Sequence, residues 1–509
     1  MNGYSKHFNT IVVGVGGMGS ATCYELAKRG QRVLGLERFD IPHDLGSSHG
    51  YTRIIRMAYY EHPSYVMLLK RAYELWDDIE RKCGKKLLHK NGSIDAGPAD
   101  SWVFKGSHQS VVEHDIRHKV YTGKELSNRF PGYQLPHDHM ALFQKDGGFL
   151  VPERSTVAFT NAAISHGAEI HGREEVLGWE PVGDGVRVIT TRAEYEADSL
   201  VITAGAWNSQ LLPMLDGLAV PERQVLAWLQ PEKPKHFKPK NFPVFNLLVD
   251  EGRYYGFPVF GVPGFKFGMY HHFEEHGDPH SFSWEPTIED EEALREFASR
   301  YFPSGTGPTM SLKACMFTNS PDKHFLIDLH PECPQVSFAA GFSGHGYKFA
   351  SVIGEIMADL AQRRDTRHEI SLFNAARYTG KLSDLHRNRL GVDENVLPRR
   401  IQPHSRMATR NGRTNQMRRP MPLSARRDML RQRMSQVEMK MPTIMRSGQN
   451  VGNRHASQRQ AGQKNVYQGN GYYGNAYDRV RQGHYQQNQY ASDSTDPRYW
   501  DHDSVQSFW

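Results

Sequence analysis

Cysteine is scarce in this chain: four residues, Cys23, Cys83, Cys315 and Cys333, among 509. They are too few and too scattered for a disulfide framework or a paired CxxC metal site, which points to a reducing compartment and no bound metal. Long apolar runs are missing too. None is long enough to cross a membrane, and the opening "MNGYSKHF" lacks the apolar core of a secretory signal, so a cytoplasmic protein with no membrane partner is expected. Acid is missing from one region in particular. Residues 397–490 hold 18 Lys and Arg against 3 Asp and Glu, a net of +15, while 491–509 carry −3. The overall charge of +6 therefore conceals a value of −6 for residues 1–396. Periodic apolar patterning stops near Tyr378, and stretches such as "QRQAGQKNVYQGNGYYGN" follow. Such a composition buries too little apolar surface to offset its ordering entropy, so residues 379–509 are expected to form a low-complexity, disordered basic tail. A solvated segment is one reading of the tail; an arm for nucleic acid or another polyanion, which Arg with interspersed Tyr would suit, is the other. The stretch 422–440, "PLSARRDMLRQRMSQVEMK", has the composition of a local helix.

What is present is concentrated at the N-terminus. "FNTIVVGVGGMGSATCYELAKRGQRVLGLE" reads as a strand over Thr10 to Val13, a glycine turn, a helix to about Arg29 and a second strand from Val33 to Glu37. The turn is Gly14-x-Gly16-x-x-Gly19, whose glycines allow a tight bend, close approach of a pyrophosphate and packing of helix on sheet. The helix N-terminus would meet phosphates with unpaired N–H groups and the positive end of its dipole. Glu37 follows the last glycine by 18 residues, close to where an acid should accept hydrogen bonds from a ribose. Strand, turn, helix and acid in register point to a dinucleotide site. Cys23, among small helix residues, reads as packing.

The segment "GSSHGYTRIIRMAYYEHPSYVMLLKRAYELW" (46–76) resembles the one that follows the first βαβ unit in the monomeric sarcosine oxidase and N-methyltryptophan oxidase family of FAD-dependent amine oxidases. Later stretches extend the likeness in order: "TAGAWNSQLLP" (203–213), "RYYGFPVFG" (253–261), "GFKFG" (264–268), "SLKACMFTNSPDKHFLIDLHP" (311–331) and "AAGFSGHGYKFASVIGEI" (339–356). The resemblance covers about residues 7–378. It implies α/β plus α+β architecture: a Rossmann-like FAD-binding domain (7–85, 146–215 and 315–378) interleaved with an antiparallel-sheet substrate domain (86–145 and 216–314). A monomer is expected.

The resemblance also implies roles for individual residues. Cys315 matches the cysteine that carries FAD as an 8α-S-cysteinyl thioether, and nearby Lys313 would favour the thiolate. Gly344 and Gly346 match residues at the cofactor. Arg56 and Lys348 match the cations that meet the substrate carboxylate, an anion that could not be left unpaired in an enclosed pocket. Arg53 matches a residue beside the flavin ring. Lys266 matches a lysine over the flavin, implicated in reaction with oxygen, where a fixed positive charge would stabilise developing anion. Tyr255 and a histidine, His271 or in the alternative register His272, match groups near the substrate amine. "KFGMYHHF" is one residue longer here than the family spacing, Tyr51 stands where relatives have an acid, and Ser48 where they often have a histidine. The implied reaction is oxidation of a C–N bond in an N-methyl or cyclic secondary amino acid, with hydrolysis of the imine and reduction of oxygen to hydrogen peroxide. Rival readings are a dehydrogenase using another acceptor and an inactive flavoprotein scaffold with a polyanion-binding tail.

Overall fold

The β-branched run at Thr10–Val13 extends as a strand, Lys6–Val13, which Gly14 ends at a φ of +87°. The computed structural model describes residues 6–378; the tail, 379–509, and its expected helix at 422–440 lie outside the described residues. Helix Gly17–Lys28 follows the turn, and the next strand is Val33–Leu36. A Cβ at Gly19 would fall 1.7 Å from the carbonyl oxygen of Gly14, so only glycine lets the helix start sit on the strand end.

The first strand pairs in parallel with Val33–Leu36 on one side and with Glu194–Ile202 on the other. Glu169–His171 and Val336–Ala340 extend this parallel core, and antiparallel strands Val176–Val182, Gly185–Thr190 and Leu326–Leu329 complete eight. Helix Gly17–Lys28 packs between helices Pro152–Ser165 and Ala350–Arg363. At Gly354 a Cβ would lie 2.6–2.8 Å from Ala21, which is why two helices can touch backbone to backbone there.

The second sheet also has eight strands, in the order Thr309–Asn319, Val220–Leu229, Val262–Met269, Gly252–Phe260, Val244–Val249, Ser93–Pro98, His139–Gln144 and Lys119–Thr122. All pairs are antiparallel except Val244–Val249 with Ser93–Pro98. Its core is aromatic, with Phe237, Phe242, Phe245, Phe265, Phe297 and Phe302 in contact. The expected boundary between residues 314 and 315 falls inside strand Thr309–Asn319. Residues 315–319 stay paired with Val220–Leu229 as far as Asn319 opposite Val220, so Cys315 is delivered by the second sheet. Three short strands, Arg53–Ile55, Gly148–Leu150 and Leu88–His89, form a third sheet between the main two in sequence terms. Among the described residues no helix is long and apolar enough to cross a membrane, and no cluster of metal-binding side chains occurs.

Candidate active site

The ends of the parallel strands and one face of the second sheet enclose a cavity of about 310 Å³. Gly14, Gly16, Glu37 and Thr203 line it from the first sheet; Asn246, Tyr255, Phe257, Tyr270 and Cys315 line it from the second. Arg53, Arg56, Gly344, Gly346 and Lys348 complete the wall. Gly19 lies behind, in the first turn of helix Gly17–Lys28.

The turn forms a cradle that a side chain would fill. A Cβ at Gly14 would lie 2.6 Å from the Thr203 carbonyl oxygen, and at Gly344 the same distance from the Phe317 ring. Helix Gly17–Lys28 has no side-chain cap at Gly16, leaving first-turn N–H groups for an anion, although Gly17 N–H reaches Ser48 Oγ at 3.2 Å. Glu37 accepts the Val15 N–H at 2.9 Å and the Phe39 N–H at 3.0 Å, so the acid also braces the turn. These residues fit a dinucleotide: backbone donors at the phosphate end, an acid at the ribose end, and a thiol at the far end.

That thiol is 2% exposed. Arg53 Nη2 donates to Cys315 Sγ at 3.6 Å, while Lys313, the cation that sequence proximity suggested, pairs instead with Asp44 at 3.6 Å. Arg53 is itself held by the carbonyls of Ser47 and Thr52.

Lys266 does not line the cavity. It sits behind the loop of residues 50–52, fully buried, with Nζ donating to Gly50 O at 2.7 Å, Thr52 O at 2.8 Å and Thr52 Oγ1 at 3.2 Å. On the other side of this loop Glu153 accepts the N–H groups of Gly50 and Tyr51 at 2.6 and 3.0 Å. Three oxygen acceptors are the full set an ammonium can use. Burial, and then the charge of Arg53, push the Lys266 pKa well down, with Glu153 and Cys315 acting in the opposite direction. His49, in the same loop, is buried with neither ring nitrogen bonded; burial and the neighbouring cations keep it neutral.

Arg56 is 1% exposed. Its Nη2 donates to Glu61 at 2.8 Å, its Nε lies 3.5 Å from Asp95, its Nη1 donates to the Ala58 carbonyl, and its plane rests on Tyr59 and Tyr60. Burial opposes its charge, but Asp95 and Glu61 outweigh burial and raise its pKa. Burial likewise opposes the Glu61 carboxylate, yet Arg56 brings it down to about 2. Lys348 donates to His345 O at 2.6 Å, and burial, followed by the charge of Arg56, pushes it down to about 7. Tyr255 stands edge-on to Tyr270, ring centroids 4.9 Å apart, and burial raises its pKa.

Neither histidine expected here faces the cavity. His271 Nδ1 bonds Glu222 at 2.8 Å, and His272 Nε2 bonds Asp290 at 2.8 Å. Glu222 is fully buried and needs donors, which His271 and Asn319 supply; Asp290 is likewise held by Arg223 and His272. The extra residue in "KFGMYHHF" is absorbed by a turn in which His271, Phe273 and Glu274 all have positive φ, 58°, 56° and 50°. Lys266–Met269 of the strand before it stay in register with Tyr254–Phe257, and Tyr270 is the side chain that reaches the wall.

Sequence reasoning passed over Asn246, Tyr270, Glu61 and Asp95. The acids left a trace: Asp95 interrupts the otherwise small and apolar "SIDAG", and Glu61 ends the aromatic run after Arg56.

Residues 9–360 match the model of a family described as FAD dependent oxidoreductase. Over 378 residues the chain is 40% identical to monomeric sarcosine oxidase of Bacillus sp. (strain NS-129), covering 73% of this chain and 97% of that protein. It is 33% identical over 375 residues to N-methyl-L-tryptophan oxidase of Yersinia pestis (strain Pestoides F), with 73% and 99% covered. Among solved structures, L-proline dehydrogenase from P. horikoshii superimposes with a TM-score of 0.65 at 22% identity, covering 74% and 99%, a likeness of fold alone.

Proposed function

Because the chain belongs to the FAD-dependent oxidoreductase family, we propose that it oxidises the C–N bond of an N-methyl or other secondary-amine amino acid. The observation that carries this reading is that two buried basic side chains, Arg56 and Lys348, and the buried Cys315 line the same cavity. The names of the sarcosine and N-methyl-L-tryptophan oxidases support the substrate class.

FAD, when bound, supplies the redox chemistry, taking a hydride equivalent from the carbon beside the amine and passing electrons on to oxygen. The chain supplies binding and fixed charge. Gly14, Gly16, Gly344, Gly346 and Glu37 would hold the dinucleotide, and Cys315 would tether the flavin through sulfur, its thiolate favoured by Arg53. Arg56 and Lys348 bind the substrate carboxylate; the planar fork of Arg56 suits both oxygens. Tyr255 and Tyr270 wall the amine; Lys266, behind the loop of residues 50–52, would act on negative charge developing on oxygen from outside the cavity and only while it is protonated. His271 has no part in this mechanism. Relatives named monomeric support a single-chain enzyme, and the few scattered cysteines support a reducing, cytoplasmic setting. For the basic tail, polyanion binding predicts salt-sensitive retention on heparin that is lost on truncation after residue 378.

The decisive experiment is anaerobic addition of sarcosine, N-methyl-L-tryptophan or L-pipecolate to the holoenzyme. Bleaching of the flavin band by one of them, followed by peroxide release when air is admitted, is expected. Bleaching by none would sink the proposal; bleaching without peroxide would favour a dehydrogenase. For the tether, acid precipitation is expected to leave flavin in the pellet of the parent protein and release it into the supernatant from Cys315→Ala. Released flavin from both would remove the covalent assignment.

Lys348 makes a pH prediction. Its pKa of about 7 means that the ammonium is present below pH 7 and lost above it. A carboxylate analogue without an amine, such as methoxyacetate, should therefore bind best below pH 7 and weaken by up to about tenfold per unit above it. Lys348→Met should flatten this dependence in a flavin-monitored titration. A flat profile in the parent protein would show that Lys348 does not hold the anion.

A further inference from the structure

Strands Val244–Val249 and Ser93–Pro98 lie parallel with Asn246 opposite Asp95, and both side chains are buried. Asp95 Oδ1 accepts the Asn246 Nδ2–H at 2.8 Å, and its Oδ2 accepts the Ser107 hydroxyl at 2.8 Å. Arg56 Nε, 3.5 Å from the same Oδ1, adds an ion pair to these two hydrogen bonds; burial raises the Asp95 pKa, and Arg56, Ser107 and Asn246 act against it in favour of the carboxylate. An acceptor-only partner fixes the amide of Asn246: nitrogen toward Asp95, Oδ1 the other way. The only donor that reaches that oxygen among the described residues is the Tyr270 hydroxyl, at 3.5 Å, the outer limit of a hydrogen bond. Asn246, Tyr270 and Arg56 line the same cavity.

We propose that Asn246 is a specificity-determining residue, its Oδ1 accepting a hydrogen bond from the substrate's side chain, and that Asp95 positions it. Arg56 Nε is 3.5 Å from Asp95, so a substrate whose carboxylate rests on Arg56 would have its α-carbon substituent within the part of the cavity that Asn246 lines. An apolar substituent leaves a desolvated acceptor underused, whereas a hydroxyl or amide N–H near the α-carbon satisfies it. The inference rests on the proposed oxidation of secondary-amine amino acids and narrows their class to those with a side-chain donor.

N-methyl-L-serine and N-methyl-L-alanine differ by the donor alone. With the holoenzyme, kcat/KM for the serine compound should exceed that for the alanine compound by roughly tenfold. In Asn246→Leu this ratio should fall to about one. In Asp95→Asn, whose amide can face either end of Asn246, the ratio should also fall while the fold is retained. A ratio near one in the parent enzyme, or a ratio that survives in both variants, would overturn the proposal. So would equal slowing of both substrates in Asn246→Leu, which would assign the residue to their common amine or to packing. If sarcosine reduces the flavin but the ratio is one, only this inference falls; if no N-methyl amino acid reduces it, the underlying reaction falls instead.

Discussion

Arg56→Ala is expected to lower kcat/KM for the preferred substrate at least about thirtyfold, a loss of roughly 2–5 kcal/mol in transition-state binding. The carboxylate would lose its bidentate partner in a cavity where water cannot replace it. The same change strips Glu61 and Asp95, which share Arg56, of the guanidinium they pair with in the interior. A further cost to stability of roughly 3–5 kcal/mol is expected from that. The two effects separate in the measurement. Steady-state kinetics report the first, a thermal melt of the holoenzyme the second, and Arg56→Lys should recover part of the stability while leaving the carboxylate without its planar fork. Unchanged kinetics in a folded Arg56→Ala protein would refute the assignment.

The second large effect belongs to Lys266→Met. If its charge stabilises negative charge on oxygen, the rate at which air restores the oxidised spectrum should fall by roughly 10²–10³-fold, with a smaller change in the anaerobic rate of bleaching. Stopped-flow mixing of the substrate-reduced holoenzyme with oxygenated buffer measures this directly. An equal loss in both half-reactions would mean that Lys266 acts by holding the loop of residues 50–52, whose carbonyls it binds, and not by its charge.

The sequence made legible whatever is local. Gly14, Gly16 and Gly19 carry their spacing in one short stretch; the helix and second strand end within a residue of the expected bounds, while the first strand begins four residues earlier, at Lys6. Arg56 and Lys348 were singled out through the resemblance, which matches them to cations that meet a substrate carboxylate, and both line the cavity. What could not be read were choices made between distant segments. Lys313 is two residues from Cys315, yet Arg53, 262 positions away, is the cation at the sulfur. His271 is drawn off by Glu222, an acid 49 positions earlier whose burial no local pattern reveals. Asp95 and Asn246 meet only because two strands far apart in sequence align in parallel, in a sheet expected to be antiparallel throughout.

The first strand of the chain has consequences for the order of assembly. One of its two partners, Val33–Leu36, is made almost at once, but the other, Glu194–Ile202, follows by nearly two hundred residues, as the Thr10–Ser199 hydroxyl contact spans 189 positions. The segment bearing Gly344 and Lys348 comes later still. Closing such long loops is slow, and their contacts bring no return until the loop is closed. The glycine turn is thus among the earliest parts of the protein to be synthesised and among the last to become a grip. Flavin capture must be a late event, which nascent chains ending before Val336 should be unable to perform.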